Sequence, residues 1–192
     1  MSDKILQGTQ TRENLMKAFA GESMARNRYC MFASKAEKEC LIEIADIFRQ
    51  TALNEKEHAE VFFKFLDGGD VKITSSYPSC LGDTKANLMC AFKYEEEEHS
   101  ILYPEFAKVA EEEGFKKIAT AFKNIAIIEA HHSSRYKKLF DRLNENTMFK
   151  RDTKVKWVCS HCGFIYENEE PPVKCPVCEK DKGYYELLCD CL

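Results

Sequence analysis

The stretch Phe122-Lys-Asn-Ile125-Ala-Ile-Ile-Glu129-Ala-His-His132-Ser-Ser-Arg-Tyr136 carries apolar residues at helical spacing, broken mid-length by Glu-x-x-His. On a helix, Phe122, Ile125, Glu129, His132 and Tyr136 share one face, so a carboxylate and an imidazole sit in a stripe that otherwise belongs to a core. The stripe Phe48, Ala52, Glu55, His58, Phe62 repeats the arrangement. Two further stripes, Leu15, Phe19, Glu22, Ala25, Tyr29 and Leu88, Ala91, Glu95, Glu98, Leu102, carry glutamates at the same depth.

Working outward, residues 11–146 divide into four helix-sized pieces. Breaks are expected at Glu37 to Cys40, from Gly68-Gly69 through Gly82, and at Gly114; Asp83 or Thr84 can cap the third helix. Two short turns and one long middle connection predict a mainly α fold, a ferritin-like four-helix bundle with a long crossover. A shift of 74 residues superposes Tyr29 on Tyr103, Phe32 on Phe106, Ile44 on Ile118, Phe48 on Phe122, Glu55 on Glu129 and His58 on His132. The bundle therefore reads as two related helical hairpins.

Five glutamates on core-facing stripes demand a compensating cation, because even one unpaired buried charge costs several kcal/mol. Glu-x-x-His places both donors one turn apart on one face, within reach of a single ion. Two such motifs and glutamates from the other two helices describe a carboxylate-bridged two-metal site, and carboxylate-rich ligation suits iron or manganese. A single Glu-x-x-His on a helix is ordinarily a solvated face; the matched pair, in phase with Glu22 and Glu95/Glu98, is what carries the metal reading. Glu96, Glu97, Glu111, Glu112 and Glu113 fall off the stripe and read as solvated surface, whereas His99 and His131 neighbour ligands but point elsewhere, to the surface or to supporting contacts behind the ligands. Tyr29 and Tyr103 are either core aromatics or hydrogen-bond partners of ligand carboxylates.

Near residue 150 the text changes. Residues 1–148 are assigned to the bundle and 149–192 to a small C-terminal metal-binding β domain. Cys159-Ser-His-Cys162-Gly and Cys175-Pro-Val-Cys178 form two C-x-x-C knuckles, and four thiolates fit zinc or iron. Trp157, Phe164, Tyr166, Tyr184 and Tyr185 surround them with an aromatic shell that restricts water, as a one-electron iron carrier needs. Residues 153–192 hold 5 Lys against 7 Asp/Glu, which argues against a nucleic-acid-binding ribbon.

Across all 192 residues the formal net charge is -4, which excludes a generally basic nucleic-acid binder, and no apolar run approaches the roughly 20 residues of a membrane span. Without a signal-peptide core at its polar start, the chain is expected in the cytoplasm, with no membrane partner. Of the 10 cysteines, Cys30, Cys40, Cys80, Cys90, Cys189 and Cys191 lie outside the knuckles. Most are expected as reduced thiols, the first four packed as small apolar residues, with Cys189-Asp-Cys191 in a frayed tail.

The combination Ala18-Phe-Ala-Gly-Glu22-Ser-x-Ala-Arg-Asn-Arg-Tyr29, Glu55-x-x-His58, Glu95-x-x-Glu98, Tyr103-Pro104, Glu129-x-x-His132 and the C-terminal knuckles resembles the rubrerythrin family over essentially the whole chain. The resemblance implies a non-haem di-iron peroxidase that reduces hydrogen peroxide to water in oxidative-stress protection. It implies two oxo/carboxylate-bridged irons on Glu22, Glu55, Glu95, Glu98, Glu129 and His132, with His58 on the same site and exchanging with Glu98 on reduction. It further implies one iron on Cys159, Cys162, Cys175 and Cys178 of a rubredoxin-like domain. Electrons would come from rubredoxin or an NAD(P)H-dependent reductase, and the chain would form a head-to-tail homodimer. Glu179, where a Gly commonly follows the second knuckle, departs from the rubredoxin pattern. The rival readings are a ferritin-like ferroxidase with a structural zinc ribbon, and an adaptor that uses such a ribbon to bind a partner.

Overall fold

The computed structural model describes residues 5–188. Helix α1 spans Gln10–Lys38 and α2 spans Ile42–Phe65; α3 (Thr84–Glu97) runs through a π-helical turn (Glu98–Leu102) into α4 (Tyr103–Glu112), and α5 spans Lys116–Asn144. The third bundle helix is thus a composite. Pro104 lacks the N–H that would bond back to the carbonyl four residues earlier, and its ring crowds that carbonyl. The chain widens there by one residue, and the backbone N–H of Tyr103 reaches the carbonyl of Glu98.

Local chemistry sets the ends. Thr9 caps α1 by accepting from the N–H of Arg12, and Asp83 caps α3 by accepting from Ala86 at 2.8 Å. Cys40 adopts the left-handed conformation (φ 55°) in the α1–α2 turn, and Gly114 (φ 83°) ends α4. Glu113, expected on the solvated surface, instead caps the start of α1: its carboxylate accepts from the N–H groups of Gln10 (3.0 Å) and Thr11 (2.8 Å). Four orphan N–H donors and the positive end of the helix dipole make that position favourable for a carboxylate. Glu96 accepts from Ser133 at 2.7 Å, while His131 is exposed as expected.

The bundle has two apolar cores. One gathers Tyr29, Phe32, Ile44, Phe48, Leu88 and Tyr136; the other gathers Leu15, Phe62, Tyr103, Phe106, Ile118 and Phe122. A polar layer lies between them. The crossover, residues 66–83, contains no helix or strand and is pinned at several points: Arg12 bonds Asp67 and Gly68, Tyr77 donates to the carbonyl of Lys17, and Asn87 bonds both backbone groups of Gly82.

Cys80 in the crossover and Cys90 in α3 form a disulfide, and Cys30 and Cys40 are exposed. These positions correct the expectation in part: Cys80 and Cys90 pack against the bundle core as expected but are bonded to each other, because the crossover folds back onto α3, while Cys30 and Cys40 are not packed. Cys189 and Cys191 lie outside the described residues.

The C-terminal domain is a three-stranded antiparallel sheet, β1 (Val155–Cys159), β2 (Ile165–Asn168) and β3 (Tyr185–Leu187), in the order β2-β1-β3. Its core is Trp157, Cys159, Cys175 and Tyr185. It rests on the α1–α2 end of its own bundle, where Gly183 meets Cys40 so closely that a Cβ would fall 1.7 Å from the Cys40 carbonyl oxygen. Among the described residues, no helix is long and apolar enough to cross a membrane.

Candidate metal centres

The polar layer brings together Glu22 from α1, Glu55 and His58 from α2, Glu95 from α3, and Glu129 and His132 from α5. All six side chains are buried. Their donor atoms fall into two groups of four, each within 4.8 Å: Glu22, Glu55, His58 and Glu129 in one, and Glu55, Glu95, Glu129 and His132 in the other. Glu55 and Glu129 belong to both. Nδ1 of His58 lies 2.9 Å from Glu55 and 2.8 Å from Glu129, and Nδ1 of His132 lies 2.7 Å from Glu129.

Proximity does not satisfy these atoms. Glu22 Oε2, Glu55 Oε1, Glu95 Oε2, both Glu129 oxygens and His132 Nδ1 have no hydrogen-bond partner. A folded protein rarely leaves one such atom orphaned, and six in one layer converge on something other than each other. Electrostatics agree. Burial, and then the charge of Glu129 or Glu55, raises Glu22 and Glu95 well above the usual carboxylate range. Burial acts in the same direction on Glu55, but the adjacent imidazoles of His132 and His58 outweigh it and bring that carboxyl to about 2. Burial would lower both imidazoles; contact with the carboxylates overcomes it, raising His58 and taking His132 to about 12. Cations shared between the two groups would relieve this conflict, so the donor set fits a pair of metal ions.

Two tyrosines complete the layer in matching ways. The Tyr29 hydroxyl donates to Glu95 Oε1, and the Tyr103 hydroxyl donates to Glu22 Oε1 at 2.5 Å. Each ring belongs to one of the two apolar cores, so the hydroxyls close the layer from opposite sides. Tyr136 packs 5.5 Å from Tyr29, ring to ring, and its hydroxyl has no hydrogen-bond partner.

Glu98 stands apart. It lies in the half-buried π turn, outside both four-donor groups, and lines a cavity beside Gly21 and Tyr77. Burial and the charge of Glu22 raise its carboxyl well above the usual range, so it borders the cluster without joining it. Glu98 keeps helical phase with Glu95, its N–H still bonded to the carbonyls of Tyr94 and Glu95, yet its carboxylate lines the cavity and falls outside both donor groups.

In the C-terminal domain Cys159, Cys162, Cys175 and Cys178 place their sulfurs within 4.8 Å of one another. The pairs Cys159–Cys178 and Cys162–Cys175 approach to 3.7 and 3.6 Å. Each knuckle closes on a backbone N–H: Gly163 to the Cys159 carbonyl at 2.8 Å, and Glu179 to the Cys175 carbonyl at 2.9 Å. Gly163 takes φ 76° without strain, whereas Glu179 adopts φ 59° against its Cβ. Burial raises the Cys175 thiol, but the neighbouring Tyr185 hydroxyl and the backbone N–H groups of Cys178 and Val177 outweigh it and bring it to about 6. That cysteine is prepared to be a thiolate ligand. Both clusters are metal-binding sites.

The comparisons follow the same two-part division. The family model described as rubrerythrin matches residues 13–140, and the rubrerythrin rubredoxin-like domain model matches residues 157–186. The chain is 50% identical to rubrerythrin-1 of Clostridium acetobutylicum over 190 residues, covering 96% of this chain and 97% of that one. It is 45% identical to a rubrerythrin of Porphyromonas gingivalis over 187 residues, covering 97% and 94%. Among solved structures, fully reduced, all-ferrous nigerythrin is similar with a TM-score of 0.64 at 30% identity, covering 97% of this chain and 90% of that chain. A bacterioferritin of Desulfovibrio desulfuricans shares the bundle fold alone, at TM-score 0.65 and 23% identity over 72% of this chain. With the helical and the cysteine-rich parts matched in the same order along nearly its full length, the chain belongs to the rubrerythrin family.

Proposed function

We propose that this oxidoreductase is a non-haem di-iron peroxidase that reduces hydrogen peroxide to water, with electrons relayed through the iron of its rubredoxin-like domain. The observation that carries the reading is the pair of four-donor groups sharing Glu55 and Glu129, sealed between two apolar cores with oxygens left unsatisfied. Two bound irons would supply the two electrons that cleave the O–O bond.

The chain's own residues would do the rest. Glu55 and Glu129, common to both groups, would set the spacing of the two ions. Tyr29 and Tyr103 would hold Glu95 and Glu22 in orientation, as hydrogen-bond partners of ligand carboxylates do. The two apolar cores would keep bulk water from the layer. His58 stands with one donor group while Glu98 stands off in the adjoining cavity, a placement that accords with an exchange between these two residues. On this reading Glu22, Glu55, His58, Glu95, Glu98, Glu129 and His132 serve the di-iron site, and Cys159, Cys162, Cys175 and Cys178 hold the third iron.

The division into residues 1–148 and 149–192 is supported by Met148, which is buried in the bundle core, and by Arg151, whose N–H bonds the carbonyl of Glu169 in the second domain. We also place the protein in the cytoplasm as a head-to-tail homodimer, fed by rubredoxin or an NAD(P)H-dependent reductase. The C-terminal domain sits at the α1–α2 end of its own bundle. From Glu55 back to the start of α2 at Ile42 is 13 residues, about 20 Å of helix. Tunnelling decays exponentially with distance, which favours delivery from the partner's domain.

The test is anaerobic reduction of the iron-loaded protein followed by mixing with peroxide or with oxygen. Reoxidation much faster with peroxide is expected, with visible thiolate-to-iron absorption. Faster reaction with oxygen in a protein whose ribbon holds zinc would turn the assignment to a ferroxidase.

A further inference from the structure

Beneath the crossover, between α1 and the α3–π turn–α4 segment, lies a cavity of about 330 Å³. It reaches the metal layer at Glu98 and Tyr103, and Ala18, Leu102 and Phe106 give it an apolar wall. Ser75, Ser76, Tyr77 and Pro78 of the crossover form its roof. A water molecule occupies roughly 30 Å³ of liquid, and hydrogen peroxide is little larger, so the space far exceeds what the smallest peroxide needs.

At the α3 side of this cavity sits Arg28. It is only 8% exposed, its Nε has no hydrogen-bond partner, and its guanidinium lies over the rings of Tyr29 (5.8 Å) and Tyr94 (5.9 Å). Nothing in the metal chemistry uses it. A buried Nε without a partner is costly, and the planar fork of a guanidinium matches a carboxylate. The cavity's charges also order a ligand. Two cations line the cavity, Lys17 and Arg28, and Arg28 is the buried one with an unbonded Nε, so a carboxylate finds its stronger partner there, away from Glu98 and the exposed Glu97. From Gly21, which faces Glu98, to Arg28 is seven residues, about 10 Å along α1, the span of a medium-length acyl chain.

We propose that this cavity binds organic hydroperoxides bearing a carboxylate on an apolar chain, with the carboxylate on Arg28 and the hydroperoxide end at Glu98 and Tyr103. The binding site stands on its own geometry; its chemistry rests on the peroxidase reading. The O–O bond of the hydroperoxide breaks, and two electrons from the reduced metal pair with two protons yield one alcohol and one water.

The experiment is calorimetric titration of the metal-loaded protein with octanoate, which carries the carboxylate and chain but no peroxide. Wild type should bind, Arg28→Gln should weaken binding at least tenfold, and Arg28→Lys should retain part of it. Gly21→Leu should abolish binding by filling the slot: a Cβ there meets Tyr77 and Glu98 at ordinary distances of 3.7 and 3.8 Å, and the remaining carbons enter the cavity itself. That variant provides the readout if Arg28→Gln does not fold. In a second arm, the preference of the reduced protein for a hydroperoxy fatty acid over tert-butyl hydroperoxide should fall about tenfold in Arg28→Gln. No octanoate binding by wild type, or binding indifferent to both Arg28→Gln and Gly21→Leu, overturns the proposal. Octanoate binding lost in Arg28→Gln supports the site even if hydrogen peroxide proves inert, a result that would sink only the peroxidase reading.

Discussion

The hydroxyl of Tyr103, the first residue of α4, donates to Glu22 Oε1 at 2.5 Å and so ties the end of the π turn to the middle of α1. The bond crosses 81 residues of sequence and holds one carboxylate oxygen while leaving the other free for an ion. Tyr103→Phe keeps the ring in its core and removes only this restraint. The protein should fold, and iron affinity or peroxide turnover should drop about tenfold or more, as loss of a ligand's hydrogen-bond partner typically does. Iron titration of the apo-protein checks it; unchanged affinity and turnover would show that Glu22 needs no orienting partner.

Glu129 belongs to both donor groups, and neither of its oxygens has a hydrogen-bond partner. Glu129→Gln should therefore cost both bundle ions rather than one. Metal analysis should find the bundle nearly empty while the four-cysteine site keeps its ion and its absorption. Retention of one bundle ion would mean that the two groups are independent.

The disulfide Cys80–Cys90 closes a short loop that fastens the crossover to α3. A closed loop of this size restricts the unfolded chain by about 2–3 kcal/mol. Cys80→Ser, or reduction by dithiothreitol, should lower stability by about that amount in urea titrations. Alkylation before and after reduction, followed by mass spectrometry, should count two additional reactive thiols. An equal count in both conditions would show the pair to be reduced.

Gly183 has room for a hydrogen and nothing more against the Cys40 carbonyl. Gly183→Ala should push the C-terminal domain off the end of its bundle without disturbing the four thiolates. Small-angle scattering should then report a more extended particle while the thiolate absorption stays unchanged. An unaltered scattering profile would show that the contact yields without separation.

If electrons cross between subunits, a variant lacking Glu55 and a variant lacking Cys159 should each be inactive alone. After subunit exchange the mixture should recover part of the peroxide turnover, because one heterodimer arrangement joins an intact bundle to an intact four-cysteine site. No recovery with exchange verified by native mass spectrometry would favour delivery within one chain.

Much of the metal layer was legible because helical periodicity turns spacing into geometry. Once Phe122, Ile125 and Tyr136 define a buried face, Glu129 and His132 must point inward with them, and the shift of 74 residues carries the inference to Glu55 and His58. Glu98 escaped this logic. Its backbone keeps helical phase with Glu95, but phase fixes a face and not a side-chain rotamer, and its carboxylate lines the cavity instead of joining either donor group. Glu113 escaped for another reason: its partners, Gln10 and Thr11, lie more than 100 residues away, and only packing brings a helix start to a helix end.

The amino-acid order by itself determined the two-domain plan, the four stripes with their inward carboxylates, and the two cysteine knuckles, since these follow from contacts within a few turns of chain. Tertiary structure decided the matters that depend on long-range approach. It sorted six donors into two groups sharing Glu55 and Glu129, set Glu98 aside, and joined Cys80 to Cys90. It also left Arg28 facing a cavity beneath the crossover with its Nε unbonded. The physical reason is that spacing specifies which face a residue occupies, whereas only the packing of one face on another specifies which atoms meet and which are left without a partner.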